Sequence, residues 1–387
     1  MLKREIYTSI NQLDTDVWNG INKDQNIYLS ISYLKALEDT LNDDIELYYS
    51  VSYNSDGTPA LIAAFQLVTF IDKRRKYSDQ LCKLSYHLHK KIADAFTINV
   101  LVCGNVFSDG ENGFAWNIEV LNSAQAMDEL HEIVQVLKRD ENVKQKASIT
   151  LFKEFWERKE SYGERLKHHS YNEFMIDVNM VLSVHPSWQT MEDYFASMKT
   201  KFRTRANKVY RSSENLEIKT LDGNQIIAEE DVINKLYSNV LDKSDFSFGA
   251  MNAKAFAAFK KELNDKFIFK AAYYQDEMVG FSTSFINGDV LEANYVGLEY
   301  KFNKDLCIYQ RLLFEYVELS IQMNAKELHL GRTAELIKSA IGAKPMNMKL
   351  YVKHRKTVSN LLLKPIISSI SPSDFELRTP FKANFSN

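Results

Sequence analysis

The apolar pattern of this chain runs through one order of elements twice. From residue 267, FIFKAAYY (267–274), the turn QDE and MVGFSTSFI (278–286) alternate as a hairpin, and NGD turns the chain into VLEANYVGL (290–298). After the loop EYKFNKD, the segment CIYQRLLFEYVELSIQM (307–323) repeats Leu312, Leu313, Tyr316, Leu319, Ile321 and Met323 at helical spacing. KELHLG (326–331) reads as a strand, RTAELIKSAIG (332–342) as a helix closing at Gly342, and MNMKLYVKH (346–354) as the last strand. The earlier half gives the same order. ELYYSVSY (46–53) and PALIAAFQLVTF (59–70) make a hairpin, INVLVCGNVF (98–107) a strand and AQAMDELHEIVQVLKRD (124–140) a helix. KASITLF (146–152), KEFWERKESYG (153–163) and NEFMIDVNM (172–180) follow as strand, helix and strand. Two β-β-β-α-β-α-β runs predict an α/β (α+β) class fold: tandem duplicated units with mixed β-sheets flanked by helices. The pattern breaks at VHPS, which places one domain over 1–183 and the other over 184–387.

Between the two runs, SWQTMEDYFASMKTKFRTRANKVYRSSE (187–214) predicts one long helix with Tyr194, Met198, Phe202, Ala206 and Val209 as its apolar stripe. Its second half, 199–211, holds six basic residues and no acidic one. Thirteen glycines and six prolines in 387 residues fall well under the average usage of about 7% and 5%. Collagen-like and low-complexity folds are excluded. Forty-eight Lys and Arg against 51 Asp and Glu leave a net charge of −3, so an anion site has to be local rather than a property of the whole chain. Cys82, Cys103 and Cys307 are too scattered for a disulfide framework or a zinc site, and no His/Cys/Asp cluster has ligand spacing, so no metal is expected. The first residues, MLKREIYTSINQLDTD, carry no apolar core of a secretory signal. No apolar run approaches the ~20 residues of a spanning helix. A cytoplasmic protein is the expectation. A second basic stretch, 336–373, contains the apolar SNLLLKPIISSI (359–370). The two stretches read either as a solvated face (199–211) and a packed tail (336–373), or as a cationic rim that handles an acidic donor or makes a peripheral contact with the inner membrane face.

The second run, with its hairpin, third strand, helix, strand, helix and strand, resembles the core of the Gcn5-related N-acetyltransferases (GNAT). The doubling, together with WQTMEDYFASMKTKFRTRANK at its start, resembles the tandem, Fem-type branch, in which two such folds keep one acyl-transfer site. LHLGRTAELIKSAIGAKPMNMKLYVKHR (328–355) resembles the close of acyltransferase domains in that branch. One departure stands out. The family's Gln/Arg-x-x-Gly-x-Gly/Ala signature, between the third strand and the long helix, is replaced here by KFNKDLCIYQ (301–310), which has no glycine.

The resemblance implies reaction where the strands 290–298 and 326–331 splay apart. Glu292, the one acid in the first of these strands, reads either as the base for an acceptor amine or as a strand carboxylate bonded to solvent or a neighbouring Lys. Alternation sets it on one face with Val290, Asn294 and Val296, and sets Leu291, Ala293 and Tyr295 on the other. His329, on one face with Glu327 and Gly331, reads either as base or relay or as a satisfied core histidine. Tyr295 is a candidate proton donor to a leaving thiolate, or a core aromatic. Asn303 and Lys304, ahead of the long helix, and Arg332 and Lys338, around the Gly-Arg-Thr turn, are the candidate binders of an anionic donor.

The function expected is N-acyl transfer from acyl-CoA as co-substrate to an amine acceptor, with a long acyl chain and a lipid-like amine as the finer reading. Two alternatives stay open. One is an aminoacyl-tRNA-dependent, Fem-type transfer to a cell-wall peptide, against which stands the lack of a long coiled-coil arm. The other is a non-catalytic scaffold that kept the doubled fold. Nucleic acid is not the favoured partner of the basic stretches, because few aromatics are interleaved in them.

Overall fold

This computed structural model describes residues 2–23, 25–41, 45–72, 98–157, 160–175, 178–243, 246–247, 250–361 and 376–385. Cys82 and the tail from 362 to 375 lie outside the described residues. The chain forms two compact units. The first comprises Met1–Ile176, Leu241–Met251 and Met348–Ser371; the second comprises Asp177–Val240, Asn252–Asn347 and Pro372–Asn387. Each is an α/β unit built on a mixed sheet with flanking helices, in keeping with a duplicated GNAT-like architecture.

In the first unit, strands Lys3–Tyr7, Glu46–Tyr53, Pro59–Asp72 and Ile98–Cys103 are antiparallel neighbours, and Ile149–Trp156 then pairs parallel with Ile98–Cys103. A parallel pair needs a crossover, and helix Ser123–Leu137 supplies it. Its buried face, Leu130, Ile133 and Val134, packs with Leu61, Phe65, Leu101 and Phe152 of the sheet.

The second unit repeats this plan. Strand Glu217–Thr220 and helices Gly223–Ala228, Glu230–Leu241 and Ala253–Leu263 precede the antiparallel strands Phe267–Tyr274, Glu277–Asn287 and Val290–Leu298. Helix Ile308–Gln322 crosses over to Glu327–His329, parallel to Val290–Leu298. The repeat is thus longer than the apolar pattern showed, because each unit opens with a strand and helices ahead of its hairpin. Helix Ala253–Leu263 lays Phe256 and Phe259 on the sheet face that carries Phe267, Phe269, Phe281 and Phe285. Helix Ile308–Gln322 covers the opposite face, with Leu313, Phe314 and Val317 against Leu291 and Leu328. Each such ring or branched side chain, fully buried, is worth about 1.5–3 kcal/mol.

Several sequence expectations are corrected. The closing strands are exchanged between the two halves of the sequence. Val178–Ser183 pairs with Glu327–His329 in the second unit, whereas residues 348–354 of strand Lys344–His354 pair with Ile149–Trp156 in the first. The expected helix 153–163 begins as strand. Ile149–Trp156 runs on through its first four residues, and Glu160–Gly163 is helical. The expected long helix 187–214 is two helices, Met191–Ser197 and Thr200–Ser212, because Met198 and Lys199 adopt extended ψ angles of 148° and 145°. The expected helix 332–342 is shortened to Glu335–Ala340, and the loop 299–305 is itself mostly helix, Tyr300–Leu306.

Candidate active site

The second unit opens a gap in its sheet where the resemblance placed one. Val290–Leu298 and Glu327–His329 share only three rungs: Val290 with Glu327, Leu291 with Leu328, and Glu292 with His329. Beyond that last rung the two strands part. Leu330 donates to the Met180 carbonyl at 2.8 Å, and the Gly331 carbonyl accepts from the Met180 N–H at 3.0 Å. The Gly331 N–H also donates to Asn179 Oδ1 at 3.1 Å. The short strand therefore follows Val178–Ser183, leaving 293–298 paired with Glu277–Asn287 alone among the described strands.

The open strand is bulged at the same place. Ser282 pairs with Val296 and Ser284 with Ala293, so Asn294 and Tyr295 together stand opposite Thr283. The Tyr295 N–H donates to Thr283 Oγ1 at 3.1 Å, and the Tyr316 hydroxyl holds the Thr283 carbonyl at 2.9 Å. The extra residue reverses the alternation. Glu292 lies opposite Phe285, and Tyr295 packs on Phe256 and Tyr237, so both belong to the face covered by Ala253–Leu263. Val296 instead packs with Ile308 and Leu312 on the other face. The expectation that Tyr295 opposes Glu292 is corrected by this bulge.

Glu292 and His329 thus form one rung of one face, and both are buried, at 7% and 6% exposure. A carboxylate so placed needs partners. Asn287 Nδ2 donates to Glu292 Oε1 at 2.8 Å, and His329 Nε2 lies 2.9 Å from Glu327 Oε2. Neither Asn287 nor Glu327 was assigned a role from sequence. Glu327 was visible there as a neighbour two residues away on the same strand face. Asn287 was hidden in the turn NGD, from which its side chain reaches back to Glu292.

The four candidate donor-binding residues separate into different roles. Asn303 Oδ1 accepts from the Tyr309 N–H at 2.8 Å, so Asn303 caps the first turn of Ile308–Gln322. Lys304 is exposed on the preceding short helix. Arg332 is half-buried in a turn where Gly331, Thr333 and Ala334 all have positive φ, at 72°, 60° and 53°. Two non-glycine residues in that region make the turn a strained one that its surroundings must hold. Lys338 does so. It is buried, and its ammonium donates to the Gly331 carbonyl at 3.2 Å and to the Arg332 carbonyl. Lys338 therefore builds the turn that presents Arg332. Lys338→Met is expected to lower stability by about 1.5–3 kcal/mol, the worth of charged hydrogen bonds. Urea unfolding reads this, and a cost under about 0.5 kcal/mol refutes the assignment.

The first unit has the matching gap, and its own side chains fill it. The parallel rungs of Ile98–Cys103 and Ile149–Trp156 end at Cys103 with Phe152. Just beyond, buried Lys153 reaches the Ser108 carbonyl and Glu154 Oε2, both at 2.5 Å. The Gly110 N–H donates to the same Glu154 oxygen at 2.8 Å.

No protein-family profile matches the sequence, and no curated protein matches it. Solved structures do. A crystal structure of FemX aligns at 9% identity over 94% of this chain and 100% of that chain, with a TM-score of 0.55. The C-terminal domain of an Agrobacterium fabrum protein named as a lysylphosphatidylglycerol synthetase aligns at 10% identity over 94% and 97%, with a TM-score of 0.52. A tandem GNAT protein from the clavulanic acid biosynthesis pathway aligns at 6% identity over 92% and 98%, with a TM-score of 0.50. At such identities the likeness is one of architecture, and what it establishes is that this chain has the tandem GNAT fold.

Proposed function

We propose that the second unit is an N-acyltransferase that moves an acyl group from acyl-CoA to an amine. The observation that carries this reading is the parting of the strands directly after the Glu292–His329 rung, with a bulge that turns Tyr295 to the same face. In it, Glu292 takes a proton from the acceptor ammonium, with Asn287 fixing the carboxylate. The free amine attacks the thioester carbonyl, and backbone N–H groups at the parted edge of 293–298 receive the oxygen on which charge develops. Collapse breaks the carbon–sulfur bond, and Tyr295 is the proposed proton donor to the departing thiolate. His329, held by Glu327, relays or positions.

Arg332, with exposed Lys304 as a second cation, is the proposed contact for the anionic part of the donor. Asn303 and Lys338 contribute by shaping the elements that carry them. The finer reading is a long acyl chain and a lipid-like amine. It is supported by 301–310, where a helix followed by a left-handed Cys307 (φ 50°) takes the place of a glycine-rich loop. No described helix is long and apolar enough to cross a membrane.

Calorimetry with acyl-CoA of short and long chain tests the donor. Arg332→Ala should weaken binding by about 10- to 150-fold, the equivalent of a charged hydrogen bond. The exposed Arg139 of the first unit, changed to Ala, should leave it unaltered. Equal losses in the two variants, or no binding of any acyl-CoA by the unaltered chain, would overturn the reading.

A further inference from the structure

Helix Thr200–Ser212 has two opposite faces of different chemistry. Phe202, Ala206, Val209 and Tyr210 turn inward to the core shared with Ile308–Gln322. The Tyr210 ring lies 5.6 Å from that of Phe314 and 5.7 Å from that of Phe195, and the Arg311 guanidinium stands over it at 4.9 Å. The other face carries Lys201, Arg205, Lys208 and Arg211, at i, i+4, i+7 and i+10. All four are exposed. At 1.5 Å per residue they form a stripe about 15 Å long.

No carboxylate neutralises this stripe among the described residues. The helix itself contains no acid. Elsewhere in the same unit cations sit on carboxylates: Lys235 on Glu299, Lys254 on Glu230, Lys326 on Asp289 and Arg378 on Glu376. Four like charges within a few turns repel one another, at a cost that a purely structural helix avoids by interspersing acids. An anionic partner would relieve it.

The surroundings of the stripe favour one kind of anion. The aromatics of this helix, Phe202 and Tyr210, are half-buried rings packed on the core, and each lies under a guanidinium, Arg205 at 5.8 Å and Arg311 at 4.9 Å, which leaves little platform on which bases could stack. The C-terminal segment meets the start of the helix. Lys199 donates from its backbone to the Pro380 carbonyl at 2.8 Å and from Nζ to the Thr379 carbonyl at 2.9 Å. Two residues before Thr379, Leu377 is 44% exposed, next to Arg378, whose N–H bonds Ser339 Oγ at 3.1 Å. On that same short helix, Leu336 is 45% exposed. Exposed leucines on segments linked to the start of the cationic helix match a surface whose outer layer is anionic and whose interior is apolar.

We infer that the Lys201–Arg205–Lys208–Arg211 face docks the second unit on an anionic lipid surface, with Leu377 and Leu336 as its apolar flank. The inference is independent of the acyl-transfer reading, because docking is measured without substrate. The test is co-sedimentation of the full chain with vesicles of phosphatidylcholine, with and without 30 mol% phosphatidylglycerol (about a third of the headgroups charged, enough to set a surface potential). The unaltered chain should bind the anionic vesicles and release them as salt is raised. Each cation removed should weaken binding by about fivefold, so K201Q/R205Q/K208Q/R211Q should lose at least about a hundredfold. The substitutions lie on an exposed face, and an unchanged melting curve shows that the variant is folded. Leu377→Ser should weaken binding by a smaller, salt-independent factor. Equal binding to neutral vesicles, or full retention by the quadruple variant, overturns the inference. So does binding to RNA in place of vesicles that the same variant abolishes.

Discussion

Glu292→Gln is expected to lower the rate of thiol release from acyl-CoA, in the presence of a competent amine, by about 10²–10⁴-fold. The substitution is close to isosteric. The Asn287 amide can still donate to the new side-chain oxygen, as it does to Glu292 Oε1 at 2.8 Å. What is lost is the ability to take a proton. Donor affinity should therefore stay nearly unchanged, separating a chemical defect from a binding one. His329→Ala is the informative companion. Its Nε2 is already engaged by Glu327 at 2.9 Å, so its loss should cost less than that of Glu292. Near-normal turnover in Glu292→Gln with collapse in His329→Ala would exchange the two roles. Normal turnover in both would remove the site from this gap altogether.

The gap was expected from the resemblance to the GNAT core, and the parallel pair that flanks it was legible in the sequence itself. VLEANYVGL and KELHLG alternate cleanly, and a helix of 15 residues between them dictates a parallel pair. Its fine geometry was not legible. A bulge leaves no mark in the sequence, since Asn294 and Tyr295 continue the alternation that the backbone abandons. Tyr295 consequently changes faces, joining Glu292 rather than opposing it. Alternation also says that a segment is a strand without saying which neighbour it takes. That is why 172–180 and 346–354 were assigned to their own halves, although Val178–Ser183 and residues 348–354 close each other's sheets.

One further miss has the same origin, local preference overridden by what lies around it. KEFWERKESYG is rich in helix formers, yet Lys153 and Glu154 are extended into the first unit's gap, where Glu154 takes φ 57°. There the parallel rungs also end, but Lys153 and Glu154 pair with each other and bond the loop at 108–110. In the second unit the comparable rung ends on Glu292 and His329. Lys338 entered as a candidate donor contact through the resemblance of 328–355, in which a Lys follows the Gly-Arg-Thr turn. Its burial instead commits the ammonium to the turn's own carbonyls, which leaves Arg332 as the cation of that turn to be tested on the donor.

Glu315→Ala should be the most destabilising single change in the second unit's framework, at about 3–5 kcal/mol in urea unfolding at neutral pH. Glu315 is buried on helix Ile308–Gln322, between Lys270 Nζ at 2.7 Å and the Arg311 guanidinium at 2.8 Å. Removing the carboxylate strands two cations that are themselves largely shielded, with side-chain exposures of 17% and 18%. Arg311 also stacks on Tyr210, so the loss reaches the contact between two helices. Burial alone would raise the Glu315 carboxyl, but Lys270 and Arg311 outweigh it and hold the group below the usual carboxylate range. A folded value lower than the unfolded one of about 4.3 means that the stabilisation is complete above that pH. It then fades as pH falls through the folded value. The gap in stability between the unaltered chain and Glu315→Gln should therefore be constant from pH 7 to about 5 and narrow on further acidification. A gap that is small at pH 7, or that fails to narrow below the unfolded carboxylate value, would show that Lys270 and Arg311 do not depend on this carboxylate.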